Sequence, residues 1–185
     1  MKLLICGAFS TGKTTLISDV SSLVLSLGSA RSIEDVARQC PMPLNKDQKF
    51  DSFIWLLGRQ IQEESEACWR GTDLVICDRG VPDILSHYLW MFRGERDSVH
   101  RDFRAFALSW IGTYDLIFLT RVDSGVQVEP DGLRVLDREY RSELDQIIFE
   151  LLNDARVPFI ELPHGRLERA VVFEREVRQL VMSGV

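Results

Sequence analysis

Eight residues near the start of the chain, Gly7-Ala8-Phe9-Ser10-Thr11-Gly12-Lys13-Thr14, constrain its fold more than any other stretch. They fit the spacing G-x-x-x-x-G-K-[ST], which carries a mechanism only when a strand precedes it and a helix follows. Both flanks are present. Lys2-Leu3-Leu4-Ile5-Cys6 is a short apolar run of the kind a buried parallel strand shows. From Thr15 to Val24, apolar residues recur at helical spacing. In that setting Gly7 and Gly12 let backbone N–H groups curl around a phosphate with no Cβ in the way, and the helix N-terminus adds its positive dipole end. Gly7, Ser10, Thr11, Gly12, Lys13, Thr14 and Thr15 are therefore expected to hold a nucleoside triphosphate. Lys13 should reach its β- and γ-phosphates, and the Thr14 hydroxyl should ligate Mg²⁺.

The 185 residues suit one domain spanning 1–185, with enough chain to bury a core. A net charge of −6 gives no bulk basic footprint for nucleic acid, and no nucleic-acid partner is expected. Cys6, Cys40, Cys68 and Cys77 form no C-x-x-C pair and read as reduced core thiols, not as a zinc site or a disulfide frame. A strand starting at the second residue leaves no room for a signal peptide. No apolar run approaches the roughly 20 residues of a membrane helix. A cytoplasmic location without membrane contact is the expectation, and a homodimer is left open.

Farther along, strands are expected at Ala30–Ile33, Asp73–Cys77, Leu116–Leu119 and Phe159–Leu162. Helices are expected from about Gln48, capped by Asp47, to Trp69; from Asp83 to Met91 behind Pro82; over Phe103–Trp110; from Arg138 to Ala155; and from Leu167 to Met182. Residues 93–102 are charged and are expected to begin with a surface turn. Residues 122–137, with Gly125, Pro130 and Gly132, have the composition of a functional loop, and a lid is expected over about 121–141. Strands alternating with helices predict a three-layer α/β fold with a parallel, doubly wound sheet.

Ligands of such sheets bind beyond the carboxyl ends of the strands. Asp78 ends the third strand, where a carboxylate can hold Mg²⁺ opposite Thr14; its competing role is a helix N-cap. Arg79 can clamp a phosphate or pair with Glu34 or Asp83. Glu34, at the end of the second strand, is the candidate to accept a proton from an acceptor hydroxyl, with Asp78 and the neighbouring Asp35 as alternatives. Arg134, Arg138 and Arg141 are spaced by four and three, so in a helix they would share one face and could neutralise a transferring phosphoryl group. They could equally form a solvated face with Asp137, Glu139 and Glu143. His87, His100 and His164 lack metal spacing and read as structural or surface residues.

At these residues the chain resembles the nucleoside and nucleotide kinases among P-loop NTPases, and within them the ribosylnicotinamide-kinase-like ATPases, the AAA-type kinase domain of bacterial NAD-metabolism regulators. The resemblance rests on Gly7 to Thr15, on Glu34-x-x-Ala37-Arg38, on Asp78-Arg79-Gly80-x-Pro82-Asp83 and on Asp131-Gly132-x-Arg134. It implies a five-stranded sheet, a site for ATP and Mg²⁺, an acceptor pocket near Glu34 and Asp78, and an arginine lid. Gly165-x-x-Glu168-Arg169 is similar to the segment with which that family contacts adenine. Pro41 to Lys49 matches no acceptor-reading motif. The function so implied is transfer of the γ-phosphoryl of Mg-ATP to a small nucleoside-like or nucleotide acceptor, with Lys13, Glu34, Asp78, Arg79, Arg134 and Arg138 as the catalytic set and Arg141 on the nucleotide. The alternative is an ATPase that acts as a nucleotide-binding regulator without an acceptor. A GTPase switch is disfavoured, because Asn45-Lys46-Asp47-Gln48 is not the guanine-reading N-K-x-D and Asp78-Arg79-Gly80-Val81 is not D-x-x-G.

Overall fold

The computed structural model describes residues 1–123 and 137–183. Its strands are β1 (Lys2–Cys6), β2 (Ala30–Ile33), β3 (Leu74–Asp78), β4 (Leu116–Thr120) and β5 (Phe159–Leu162). They form one parallel sheet in the order β2-β3-β1-β4-β5. The helices among the described residues are α1 (Lys13–Ser26), α2 (Phe50–Trp69), α3 (Val81–Phe92), α4 (Ser98–Ile111), α5 (Arg138–Asp154) and α6 (Arg166–Met182).

The period of two along the strands produces the layers. Leu4, Cys6, Val75, Cys77, Ile117 and Leu119 face one side and pack with α2, α3, α4 and α5. Leu3, Ile5, Leu74, Ile76 and Phe118 face the other side and pack with α1 and α6. Each such fully buried aliphatic or aromatic side chain contributes about 1.5–3 kcal/mol of transfer free energy. Because both faces are covered, the central strands are continuously apolar, which is why they stand out in the sequence. β1 lies between β3 and β4, with Ile5 beside Asp78 and Cys6 beside Leu119. That register brings the loop after β1, the end of β3 and the end of β4 to one edge of the sheet.

Three expectations change. Asn45–Asp47 forms a short 3₁₀ turn, so α2 begins at Phe50 behind Lys49 instead of behind Asp47. α4 starts at Ser98, several residues early, because the Asp97 carboxylate accepts from the His100 N–H at 2.9 Å and caps it. All four cysteines are free thiols, but only Cys6 and Cys77 belong to the core; Cys40 is half-buried and Cys68 exposed on the outer face of α2. No helix among the described residues is long and apolar enough to cross a membrane.

Candidate active site

The loop after β1 is held tightly from below. Gly7 has φ +139°, and a Cβ there would lie 2.2 Å from the Thr120 carbonyl oxygen at the end of β4. Gly12 caps α1 in the left-handed region at φ +84°. The first turn of α1 follows, and its N–H groups have no intrahelical partner. Two arginines distant in sequence hold the loop's carbonyls. Arg141 donates from Nε to Phe9 O and from Nη2 to Ser10 O, each at 3.0 Å. Arg169 donates from Nη1 to Thr11 O at 2.6 Å and from Nη2 to His164 O at 2.9 Å. With those carbonyls engaged, the concave side is left to N–H groups and to Lys13.

Lys13 is buried, and its Nζ donates to Gly7 O (2.7 Å), Ala8 O (2.6 Å) and Thr11 Oγ1 (3.2 Å). Burial, and next the Arg79 guanidinium, pull its pKa down to about 7, while Asp83, Asp78 and Asp35 work the other way. The Ser10 hydroxyl is buried with no partner among the described residues.

Asp78 ends β3 and accepts from Thr14 Oγ1 at 2.6 Å, joining the two expected Mg²⁺ ligands across the sheet edge. Oxygen donors of this kind suit Mg²⁺, which usually takes one or two protein ligands and completes its shell with phosphate and water oxygens. Among the described residues no cluster of three or more His, Cys, Asp or Glu could hold a metal. A site completed by phosphate and water oxygens, with Thr14 and Asp78 as its protein donors, fits this donor set.

Arg79 follows at φ +74°, an uncommon left-handed conformation for a residue with a Cβ. The turn aims its guanidinium between two carboxylates: Nε lies 2.9 Å from Asp35 Oδ2, and Nη1 lies 3.4 Å from Asp83 Oδ1. Burial opposes the Arg79 charge, but Asp35, Asp83 and Asp78 outweigh it and hold the pKa above its ordinary value. Asp83, buried at the start of α3, also accepts from the Gly80 N–H (3.0 Å) and the Gly7 N–H (3.2 Å). Burial raises its pKa, against the pull of Arg79 and Lys13.

A cavity of about 390 Å³ runs from the loop to α2 and α3. Its wall includes Phe9 to Thr15, so Ser10, Thr11, Gly12, Lys13, Thr14 and Thr15 all border it, and Arg79 borders it as well. Glu34 is exposed beyond β2 and is not among the lining residues, whereas Asp35 is. Arg38 also lines the wall. Of the lid arginines, Arg134 lies outside the described residues, Arg138 is exposed at the first position of α5, and Arg141 is buried beneath the loop. Three residues apart on one helix, Arg138 and Arg141 therefore occupy different environments.

Sequence reasoning missed the far wall, formed by Gln48, Phe53, Leu56, Gln60, Ile84 and His87. Gln48 and Gln60 are buried amides, and His87 shares a 2.6 Å hydrogen bond between Nδ1 and the Tyr140 hydroxyl. Burial, then the Arg79 and Lys13 charges, push the His87 pKa down to about 3, so its ring is neutral. Gln60, one of the buried polar residues on a face of α2 shared with Ser52 and Glu64, was the available signal for this wall.

Among curated proteins, no sequence match is found. Solved structures match nearly end to end. A deoxyadenosine kinase from M. mycoides, with the products dCMP and a flexible dCDP bound, superposes with a TM-score of 0.68 at 15% identity, over 97% of this chain and 100% of that one. The same enzyme with bound dATP gives 0.68 at 15% identity, over 96% and 99%. A thymidylate kinase from Ehrlichia chaffeensis gives 0.66 at 12% identity, over 98% of each. At such identities the likeness concerns the fold: the α/β arrangement on a five-stranded parallel sheet is that of these kinases. A family model described as an AAA domain matches residues 2–170. The chain belongs to the AAA domain family.

Proposed function

We propose that the protein is an ATP-dependent phosphotransferase that moves the γ-phosphoryl of Mg-ATP to a nucleoside-like or nucleotide acceptor. The observation that carries this reading is the shape of the site. The cavity does not end at the phosphate loop but continues past Arg79 to a wall of buried amides and apolar side chains, room that a bare ATPase does not need. The kinase fold of the solved structures supports it.

In this reading the N–H groups of residues 10–15 and the Lys13 ammonium hold the donor phosphates, while Arg141 and Arg169 keep the loop's carbonyls turned away. Thr14 and Asp78 would hold Mg²⁺, which supplies charge neutralisation across the phosphates. Arg79, fixed between Asp35 and Asp83, stands where donor and acceptor meet and positions one or both. The acceptor hydroxyl's proton goes to a carboxylate at the end of β2, where Glu34 and Asp35 are adjacent; Asp35 is the one on the cavity wall. Such transfer relies on positioning and electrostatics more than on covalent chemistry. In this reading Arg138, exposed at the start of α5, and Arg134, outside the described residues, keep the role of neutralising the transferring phosphoryl group.

Steady-state ADP release, measured with and without a panel of nucleosides (nicotinamide riboside among them), nucleotides and aminoglycoside-like alcohols, tests this reading. At least one nucleoside or nucleotide should accelerate turnover. Hydrolysis unchanged by every compound would instead favour a nucleotide-binding regulator.

A further inference from the structure

Beneath the turn that carries Arg79 lies a carboxylate that no step of the transfer uses. Glu64, on α2, has no exposed surface. Its Oε2 accepts from Lys2 Nζ and Trp110 Nε1, each at 2.7 Å. Its Oε1 accepts from the Tyr114 hydroxyl at 2.6 Å and from Gln60 Nε2 at 2.8 Å. Donors from β1, α2, α4 and the turn ahead of β4 thus meet on one group, and Lys2 supplies the countercharge. Burying a carboxylate is costly unless it is paired and hydrogen-bonded in this manner, so Glu64 is a fixed point from which its donors are oriented.

The Tyr114 hydroxyl is the donor that leads towards the site. Burial, and next the Glu64 charge, push its pKa well above the ordinary tyrosine range, so it keeps its proton. A carboxylate only accepts, so that proton points at Glu64. The other side of the oxygen is thereby fixed as an acceptor, and it takes the Val81 N–H at 3.3 Å. The same oxygen packs so closely on the turn that a Cβ on Gly80 would come within 2.5 Å of it. Arg79 and Gly80 directly precede Val81, and their own N–H groups are tied as well. Arg79 donates to Ile5 O at 3.0 Å, and Gly80 donates to Asp83 Oδ2 at 3.0 Å. Arg79 needs this support: it sits at φ +74°, and a residue with a Cβ stays in the left-handed region only where its surroundings over-determine it. The strained angle is what turns the guanidinium between Asp35 and Asp83.

We propose that Glu64 and Tyr114 form a positioning pair for Arg79: the carboxylate fixes the direction of the hydroxyl, the hydroxyl holds the Val81 N–H, and the turn so held keeps Arg79 aimed between Asp35 and Asp83. Neither residue of the pair lines the cavity, so both act through Arg79 and not on a substrate. What Arg79 does for donor and acceptor rests on the kinase reading above; where Arg79 stands does not, and is tested by itself. Without the hydroxyl the Val81 N–H loses its partner in a buried turn, and the left-handed angle at Arg79 loses part of what maintains it. The guanidinium then leaves its place between the carboxylates, and misplacement on that scale lowers turnover by about ten- to a hundredfold.

The first test is the crystal structure of Tyr114→Phe, which removes one oxygen and keeps the buried ring. Arg79 Nε should lie farther than about 3.5 Å from Asp35 Oδ2, outside hydrogen-bonding distance. Glu64→Gln should displace it likewise, and Arg79 unmoved in either variant would overturn the proposal. Should Glu64→Gln fail to fold, with Lys2 left unpaired, Tyr114→Phe decides. The second test is a double-mutant cycle read in acceptor-stimulated ADP release. Tyr114→Phe should lower kcat by about ten- to a hundredfold with ATP affinity retained. In an Arg79→Lys background, where one ammonium cannot bridge both carboxylates, the same change should cost about twofold at most. An undiminished kcat, or an equal loss in the two backgrounds, would overturn the proposal; the equal loss is what a general loosening of the fold produces. If no nucleoside or nucleotide accelerates ADP release, the kinase reading falls, and the crystal structure alone upholds or overturns the positioning of Arg79.

Discussion

Thr14 and Asp78 meet at 2.6 Å, hydroxyl to carboxylate, although 64 positions separate them. The contact links the first turn of the helix after the phosphate loop to the end of the adjacent strand, so the site's two Mg²⁺-type oxygen donors are already together in the protein alone. Asp78→Asn should raise the Mg²⁺ concentration for half-maximal turnover by about ten- to a hundredfold, and Thr14→Ala should act in the same direction. Titrating ADP release with Mg²⁺ checks this; an unchanged half-saturating concentration in both variants contradicts the metal assignment.

Lys13 ties nucleotide affinity to pH. With its pKa near 7 in the free protein, the amine is largely neutral at pH 8, and triphosphate binding restores its charge. Binding at pH 8 should therefore take up a proton, and affinity should fall by up to about tenfold per pH unit from 7 to 9. Calorimetry in two buffers of different ionisation enthalpy measures the proton count directly. A flat profile with no proton exchange argues against Lys13 on the phosphates, and undiminished turnover in Lys13→Ala would do so more strongly.

Arg141 is a brace for the phosphate loop, with two hydrogen bonds to the Phe9 and Ser10 carbonyls. Arg141→Ala should raise the KM for ATP by about tenfold or more, since each charge-assisted bond is worth about 1.5–3 kcal/mol. Arg141→Lys should rescue little, because one ammonium cannot reproduce the planar fork. Full rescue by lysine would show that charge alone matters at this position.

Gly7→Ala places a methyl group within 2.2 Å of Thr120 O at a backbone angle that side chains avoid. Strain of this kind costs about 1–3 kcal/mol. For a chain of this size each kcal/mol lowers Tm by roughly 2–4 °C. Thermal unfolding by circular dichroism reads the change, and an unaltered Tm would contradict the packing of the loop against β4.

Local features were the legible ones. The phosphate loop shows itself because glycines, lysine and threonine act within one turn, and the central strands because both faces are buried. Asp78 followed from the end of an apolar run. The two braces did not show: Arg141 and Arg169 touch the loop only after α5 and α6 have packed, and nothing in their spacing encodes that. Arg141 could be grouped with Arg138 by helical spacing, yet burial separates them. At the end of β2 the sequence favoured Glu34, and only the 3₁₀ turn over Val36–Gln39, capped by Asp35, places the neighbouring carboxylate on the cavity wall. The far wall of the cavity joins residues of α2 and α3 that no local pattern brings together.

The most direct measurement follows the phosphate itself. ATP labelled in its γ-phosphate, incubated with the protein, Mg²⁺ and a nucleoside and nucleotide mixture, should transfer the label to an organic acceptor, in amounts that match ADP formed and vanish in Lys13→Ala. Label recovered only as inorganic phosphate, at a rate indifferent to the mixture, would contradict phosphoryl transfer as the function of this site.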